Sequence, residues 1–141
     1  MRPFRLRDSL SEHAAPGGVA LTTWPTLLVI DDDPEMLRTL VCYFEKRGFH
    51  VAAASTIAEA KTNFHRRKIW TLVMTDYHLP DGNGWEFCCW IRDQPGPPPP
   101  FLLMSGSLYG EALCNGVDFL PKPFALAELD ERVRTILRRP Q

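Results

Sequence analysis

The residues able to do chemistry in this chain fall at the ends of apolar runs. Asp31, Asp32 and Asp33 follow LLVI at 27–30, and Asp76 closes TLVMT at 71–75. Ser105 follows FLLM at 101–104, and Lys122 follows VDFLP at 117–121. Clustered carboxylates are costly, because like charges raise one another's pKa. A divalent cation relieves that cost, and an all-oxygen donor set selects Mg²⁺ or Mn²⁺ over zinc. Mg²⁺ keeps several waters and commonly completes its shell with a phosphate oxygen. The chemistry indicated is phosphoryl transfer: one carboxylate attacks phosphorus, while a metal, a hydroxyl donor and an ammonium neutralise the transferring oxygens. Lys122 suits the ammonium's task as a compact point charge. Ser105 offers one hydrogen bond. Asp76 stands alone on its loop, which favours it as the nucleophile. Asp31 and Asp32 are adjacent and better placed to hold a metal together. Asp33 precedes Pro34 and reads as a helix N-cap.

The elements that must position these groups alternate. LLVI is a continuous apolar run, as in a strand buried on both faces. Met36, Leu37, Leu40, Val41 and Phe44 then keep helical spacing to about Arg47, and Gly48 is a natural stop. A second strand follows at 49–53, and Ser55 is expected to cap a helix carrying Ile57, Ala60 and Phe64 on one face. The third strand spans 69–75 and leads to Asp76; residues 80–84 (PDGNG) read as turn or loop. A helix from about Trp85 to Arg92 precedes QPGPPPP at 94–100, a rigid connector unable to be helix or central strand. Strands at 101–104 and 117–120 flank residues 108–115, which have room for only about two helical turns. Leu126, Leu129, Val133, Ile136 and Leu137 mark a final amphipathic helix with arginines toward its end. Five βα units with short connections argue a parallel sheet covered by helices on both faces. In such a sheet the carboxyl ends of the strands share one edge, so Asp31, Asp32, Asp76, Ser105 and Lys122 converge there.

Composition agrees with one soluble domain. The chain has 141 residues, 45% hydrophobic and 23% charged, with a net charge of −1. That balance gives no support for a nucleic-acid partner. No run of about 18 apolar residues suggests a membrane span. Cys42, Cys88, Cys89 and Cys114 form no C-x-x-C pair, and His13, His50, His65 and His78 have no metal-binding spacing, so zinc is not indicated. The thiols are expected to be reduced and the protein cytoplasmic. Residues 1–25 mix Arg, Pro, Gly and Ser without a sustained apolar period, and are expected to be a flexible tail ahead of a domain at 26–141.

Four pieces in order, LLVIDDDPEML (27–37), MTDYHLPDGNG (74–84), LLMSGS (102–107) and DFLPKPF (118–124), resemble a response-regulator receiver domain of two-component signalling. The resemblance covers about residues 26–138. It implies a flavodoxin-like, doubly wound five-stranded sheet of order 2-1-3-4-5. It also implies that Asp76 accepts phosphate from a histidine kinase or a histidine phosphotransfer protein. Asp31 and Asp32 match the acidic metal pair, Asp32 directly and Asp31 through water, and the backbone carbonyl of His78 matches a further ligand. Ser105 fills the Ser/Thr switch position and Phe119 the aromatic one, although on chemistry alone Phe119 is core. Lys122 matches the phosphate-contacting lysine, with a cis bond to Pro123. The sequence departs from the family in a short interval between Ser105 and Lys122, hence a shortened fourth helix, and in the proline-rich connector. No further domain is expected after the last helix, so the chain reads as a stand-alone switch acting through protein contacts on an unknown target, and not as an enzyme.

Other readings share parts of this pattern. A phosphorelay intermediate would use the same residues and pass phosphate on to a histidine phosphotransfer protein. A receiver-like binding module would not use phosphate at all. An aspartyl phosphohydrolase would want a second carboxylate two residues past Asp76, where His78 stands.

Overall fold

A computed structural model of the chain describes residues 24–106 and 117–140. Residues 1–23, 107–116 and 141 lie outside that description, and with them most of the expected 1–25 tail, the expected short helix at 108–115 and Cys114. Trp24 and Pro25 are described, and Pro25 is buried with its carbonyl accepting the His50 N–H at 2.8 Å. The described elements are β1 (Thr26–Ile30), α1 (Pro34–Glu45), β2 (His50–Ala54), α2 (Ile57–His65), β3 (Leu72–Asp76), β4 (His78–Leu79), β5 (Gly82–Asn83), α3 (Gly84–Arg92), β6 (Phe101–Ser105), β7 (Asp118–Pro121) and α4 (Leu126–Leu137).

The five long strands are parallel, in the order β2-β1-β3-β6-β7. This is the flavodoxin-like order with β6 and β7 as its fourth and fifth strands. β1, β3 and β6 are buried at every position, which is why their runs LLVI, LVM and FLLM are apolar without alternation. One face of the sheet packs Leu27, Val29, Met74 and Leu102 against Leu40 and Phe44 of α1 and Leu129, Val133 and Ile136 of α4. The other packs Leu28, Ile30, Val73 and Leu103 against Ile57 and Ala60 of α2 and Phe87, Cys88 and Ile91 of α3. The sheet is thus doubly wound, as expected. No helix among the described residues is long and apolar enough to cross a membrane.

Local chemistry sets the helix starts. Pro34 occupies the first turn of α1, and the Asp33 carboxylate accepts the Glu35 N–H at 3.0 Å. After α1 the chain reverses at Gly48, whose φ of 94° suits a residue without Cβ.

Three expectations need correction. Thr56, not Ser55, caps α2: its hydroxyl accepts the Glu59 N–H at 3.1 Å, while the Ser55 hydroxyl faces the Glu59 carboxylate at 3.3 Å. Residues 80–84 are not all turn. Gly82–Asn83 pairs antiparallel with His78–Leu79, Asn83 caps α3, and Gly84 is the first residue of that helix. The third strand starts at Leu72, so Ile69 lies before the sheet with 78% of its surface exposed.

Candidate phosphoacceptor site

The carboxyl ends of β1, β3, β6 and β7 meet at one edge and bring the sequence-predicted residues together. Asp31 follows β1 and is fully buried. Its Oδ1 accepts the Asp33 N–H at 2.9 Å, and its Oδ2 accepts from Lys122 Nζ at 2.8 Å. Asp76 is the last residue of β3, and its Oδ2 lies 3.3 Å from the same ammonium. Asp32 is exposed beside them. Carboxylate oxygens of Asp31, Asp32 and Asp76 all lie within 4.8 Å of one another.

Neighbouring strands fix the frame. Asp76 is in register with Met104, which puts Ser105 one step further along the same edge. Ser105 is buried, and its carbonyl accepts the Lys122 N–H at 2.7 Å, which ties the base of the lysine to β6. The Lys122–Pro123 bond is cis, as expected. Phe119 is 9% exposed and packs in the core on the α2–α3 face. His78 starts the small hairpin, and hydrogen bonding from its backbone reaches the Asp76 carboxyl.

The electrostatics follow from burial. Desolvation raises the Asp76 pKa above the usual 3.8. The Lys122 charge opposes this, and the Asp31 charge adds to it. For Lys122, desolvation works against the ammonium, but the hydrogen bond and charge of Asp31, then those of Asp76, outweigh it and hold the pKa above 10.5. One ammonium therefore serves two of three clustered carboxylates.

Sequence reasoning missed two supporting residues. Asp81, at the tip of the hairpin, accepts the N–H groups of Ile57 (2.8 Å) and Ala58 (3.0 Å) and so caps α2 from outside its own segment. These bonds, with a smaller contribution from the Lys61 charge, hold its pKa below the usual value. A side chain on Gly84 would strike the Asp76 carbonyl, and would come within 2.8 Å of Thr75 Cγ2 and 2.9 Å of Thr75 Oγ1. Its N–H donates to the Tyr77 carbonyl at 2.7 Å. The glycine was visible as a turn residue; the backbone pressed against it was not.

Open α/β sheets of many kinds bind their ligands outside the carboxyl ends of the strands, at the switch point. The response regulator receiver domain family model matches residues 27–134. The chain belongs to that family.

The receiver is 33% identical over 120 residues to transcriptional activator protein PfeR of Pseudomonas aeruginosa, covering 82% of this chain and 38% of that protein. It is 31% identical to transcriptional regulatory protein GltR of the same organism, covering 82% of this chain and 50% of that protein. The chain thus spans about half or less of the curated relatives it matches. Among solved structures, the non-phosphorylated HemR receiver domain from Leptospira biflexa superposes with a TM-score of 0.73 at 31% identity, covering 83% of this chain and 97% of that one. The BeF3-activated N-terminal receiver domain of Klebsiella pneumoniae RstA gives 0.70 at 27% identity, covering 81% and 99%. With relatives named as transcriptional regulators, charge balance alone does not decide against a link to nucleic acid.

Proposed function

We propose that this receiver accepts a phosphoryl group on Asp76 from a phosphohistidine of a kinase or phosphotransfer protein, and signals by shifting between two conformations that partner proteins read. The supporting observation is the convergence of Asp31, Asp32, Asp76 and Lys122 at one sheet edge. An Asp76 carboxylate oxygen forms a bond to phosphorus as the bond from phosphorus to the donor's imidazole nitrogen breaks, and the electron pair leaves with the imidazole. Lys122 is within reach of Asp76 and turns from its carboxylate to the oxygens of the transferred group. Ser105 adds a hydrogen bond from the next strand.

The donor set fits a divalent cation, since the cluster is all-oxygen and one lysine does not neutralise three carboxylates. Asp32 and Asp76 would ligate it directly. Both Asp31 oxygens already accept hydrogen bonds, which suits a water-mediated role, and the His78 carbonyl completes the protein ligands. Bound Mg²⁺ would supply charge neutralisation for the phosphoryl oxygens.

Incubation with a small phosphodonor tests the reading. One added phosphoryl group per chain in Mg²⁺, and none in chelator, supports it; an unmodified, folded protein in both would refute it. Transfer of that group onward to a histidine phosphotransfer protein would identify a relay role.

A further inference from the structure

The opposite edge of the sheet carries a second feature, unconnected with the phosphate chemistry. The segments entering β3 and β6, which are adjacent strands, face each other across a groove of about 720 Å³. This size falls within the range of ordinary small-molecule sites. Its floor is aromatic. Trp70 is 6% exposed, is anchored by its indole N–H to the Phe64 carbonyl at 3.0 Å, and stacks on Phe64 at 6.2 Å. Phe64 in turn packs edge-on against Trp90 at 5.6 Å, so the floor is braced from α3.

One wall is the proline run ahead of β6, which brings no backbone N–H to the groove. The opposite wall carries Arg67, Lys68 and the exposed Ile69, with Arg66 exposed just before them. Ile69 is the most exposed of the large apolar side chains among the described residues. The lining residues include four prolines, two isoleucines and two aromatics, and no Asp or Glu.

Such a groove asks for an apolar anchor on its floor and negative charge at its rim. The residues that precede β1 are a poor complement, since 1–23 hold three arginines against one Asp and one Glu. We infer that this groove docks an acidic segment of another protein, with an aromatic or aliphatic residue seated between the proline wall and Trp70. Asp76 lies at the far ends of these strands, so a partner held here leaves the phosphoacceptor open and binds both its forms.

The probe is a fluorescein-labelled peptide of alternating Glu and Asp around a central Trp-Leu pair, titrated with the full chain and read by anisotropy. Controls are the same peptide with Gln and Asn in place of the acids, polyglutamate, and a nucleic-acid oligomer. The expected result is saturable binding that weakens about tenfold in Ile69→Asp, in Arg67→Glu/Lys68→Glu, and with the neutral peptide. These positions are on the surface, and an unchanged thermal midpoint confirms folding. Failure of the acidic probe to bind, or binding unaltered by Ile69→Asp, overturns the inference. So does tighter binding of polyglutamate or the oligomer, which would mark a general polyanion surface.

Discussion

Lys122→Met removes the ammonium that reaches both Asp31 and Asp76 and keeps an unbranched side chain one atom shorter. The 2.8 Å pair with Asp31 joins the lysine, 21% exposed on its side chain, to a carboxylate with no exposure. Removing one partner of a fully buried ion pair costs about 3–5 kcal/mol. Lys122 is partly open to water, and Asp31 keeps the Asp33 N–H, so roughly 2–3 kcal/mol is expected at pH 7 without metal. Urea midpoints of domains this size change by ~1–2 M for such a loss. The sign with pH is fixed. While its carboxylate partners are ionised, the raised lysine pKa means that its stabilisation is present below 10.5 and is lost as pH climbs through the folded value. The deficit of the variant should instead shrink on acidification, as the raised Asp76 pKa lets that carboxyl take up a proton. Mg²⁺ should raise the variant's midpoint more than the wild type's, because it replaces the missing charge. An unchanged midpoint at pH 7, or equal Mg²⁺ effects on both proteins, would refute the reasoning.

Three further outcomes follow from the same geometry. Asp76 has a folded pKa above 3.8, so the stability it contributes is present below that pH and is lost as pH rises through the folded value. Asp76→Asn should therefore be more stable than wild type in metal-free urea titrations at pH 7.5, with the gain fading toward pH 4. Gly84→Ala forces Cβ into the Asp76 carbonyl and the buried, β-branched Thr75, and should cost about 2–3 kcal/mol and slow phosphoryl uptake; a wild-type midpoint and rate would show that the contact can relax. Asp81→Ala should accelerate amide exchange at Ile57 and Ala58 with little change in the sheet, and the wild-type difference should vanish as pH falls through the depressed Asp81 pKa.

Much of this was legible in the residues. LLVI and FLLM are continuous apolar runs because β1 and β6 are covered on both faces. A parallel sheet gathers whatever follows its strands, so the order of apolar runs alone places Asp31, Asp76, Ser105 and Lys122 at one edge. What pattern could not supply was contact between distant segments. The partners of Asp81 are 24 and 23 positions away, and nothing in PDGNG announces them. The two-residue strands β4 and β5 are too short to repeat any period, so they hid inside an expected loop. Ile69 looked like strand by type alone. Residue type reports apolarity and not burial, and β3 starts three positions later. Ser55 and Thr56 both have cap chemistry, serine slightly the better, and only the backbone decided for Thr56.

The most direct measurement is the intact mass of wild type, Asp76→Asn and Asp32→Asn after exposure to a phosphodonor in Mg²⁺. Wild type should gain one phosphoryl group, Asp76→Asn none, and Asp32→Asn should gain it only at much higher Mg²⁺. A phosphoryl group on folded Asp76→Asn at the wild-type rate would contradict the assignment of the acceptor.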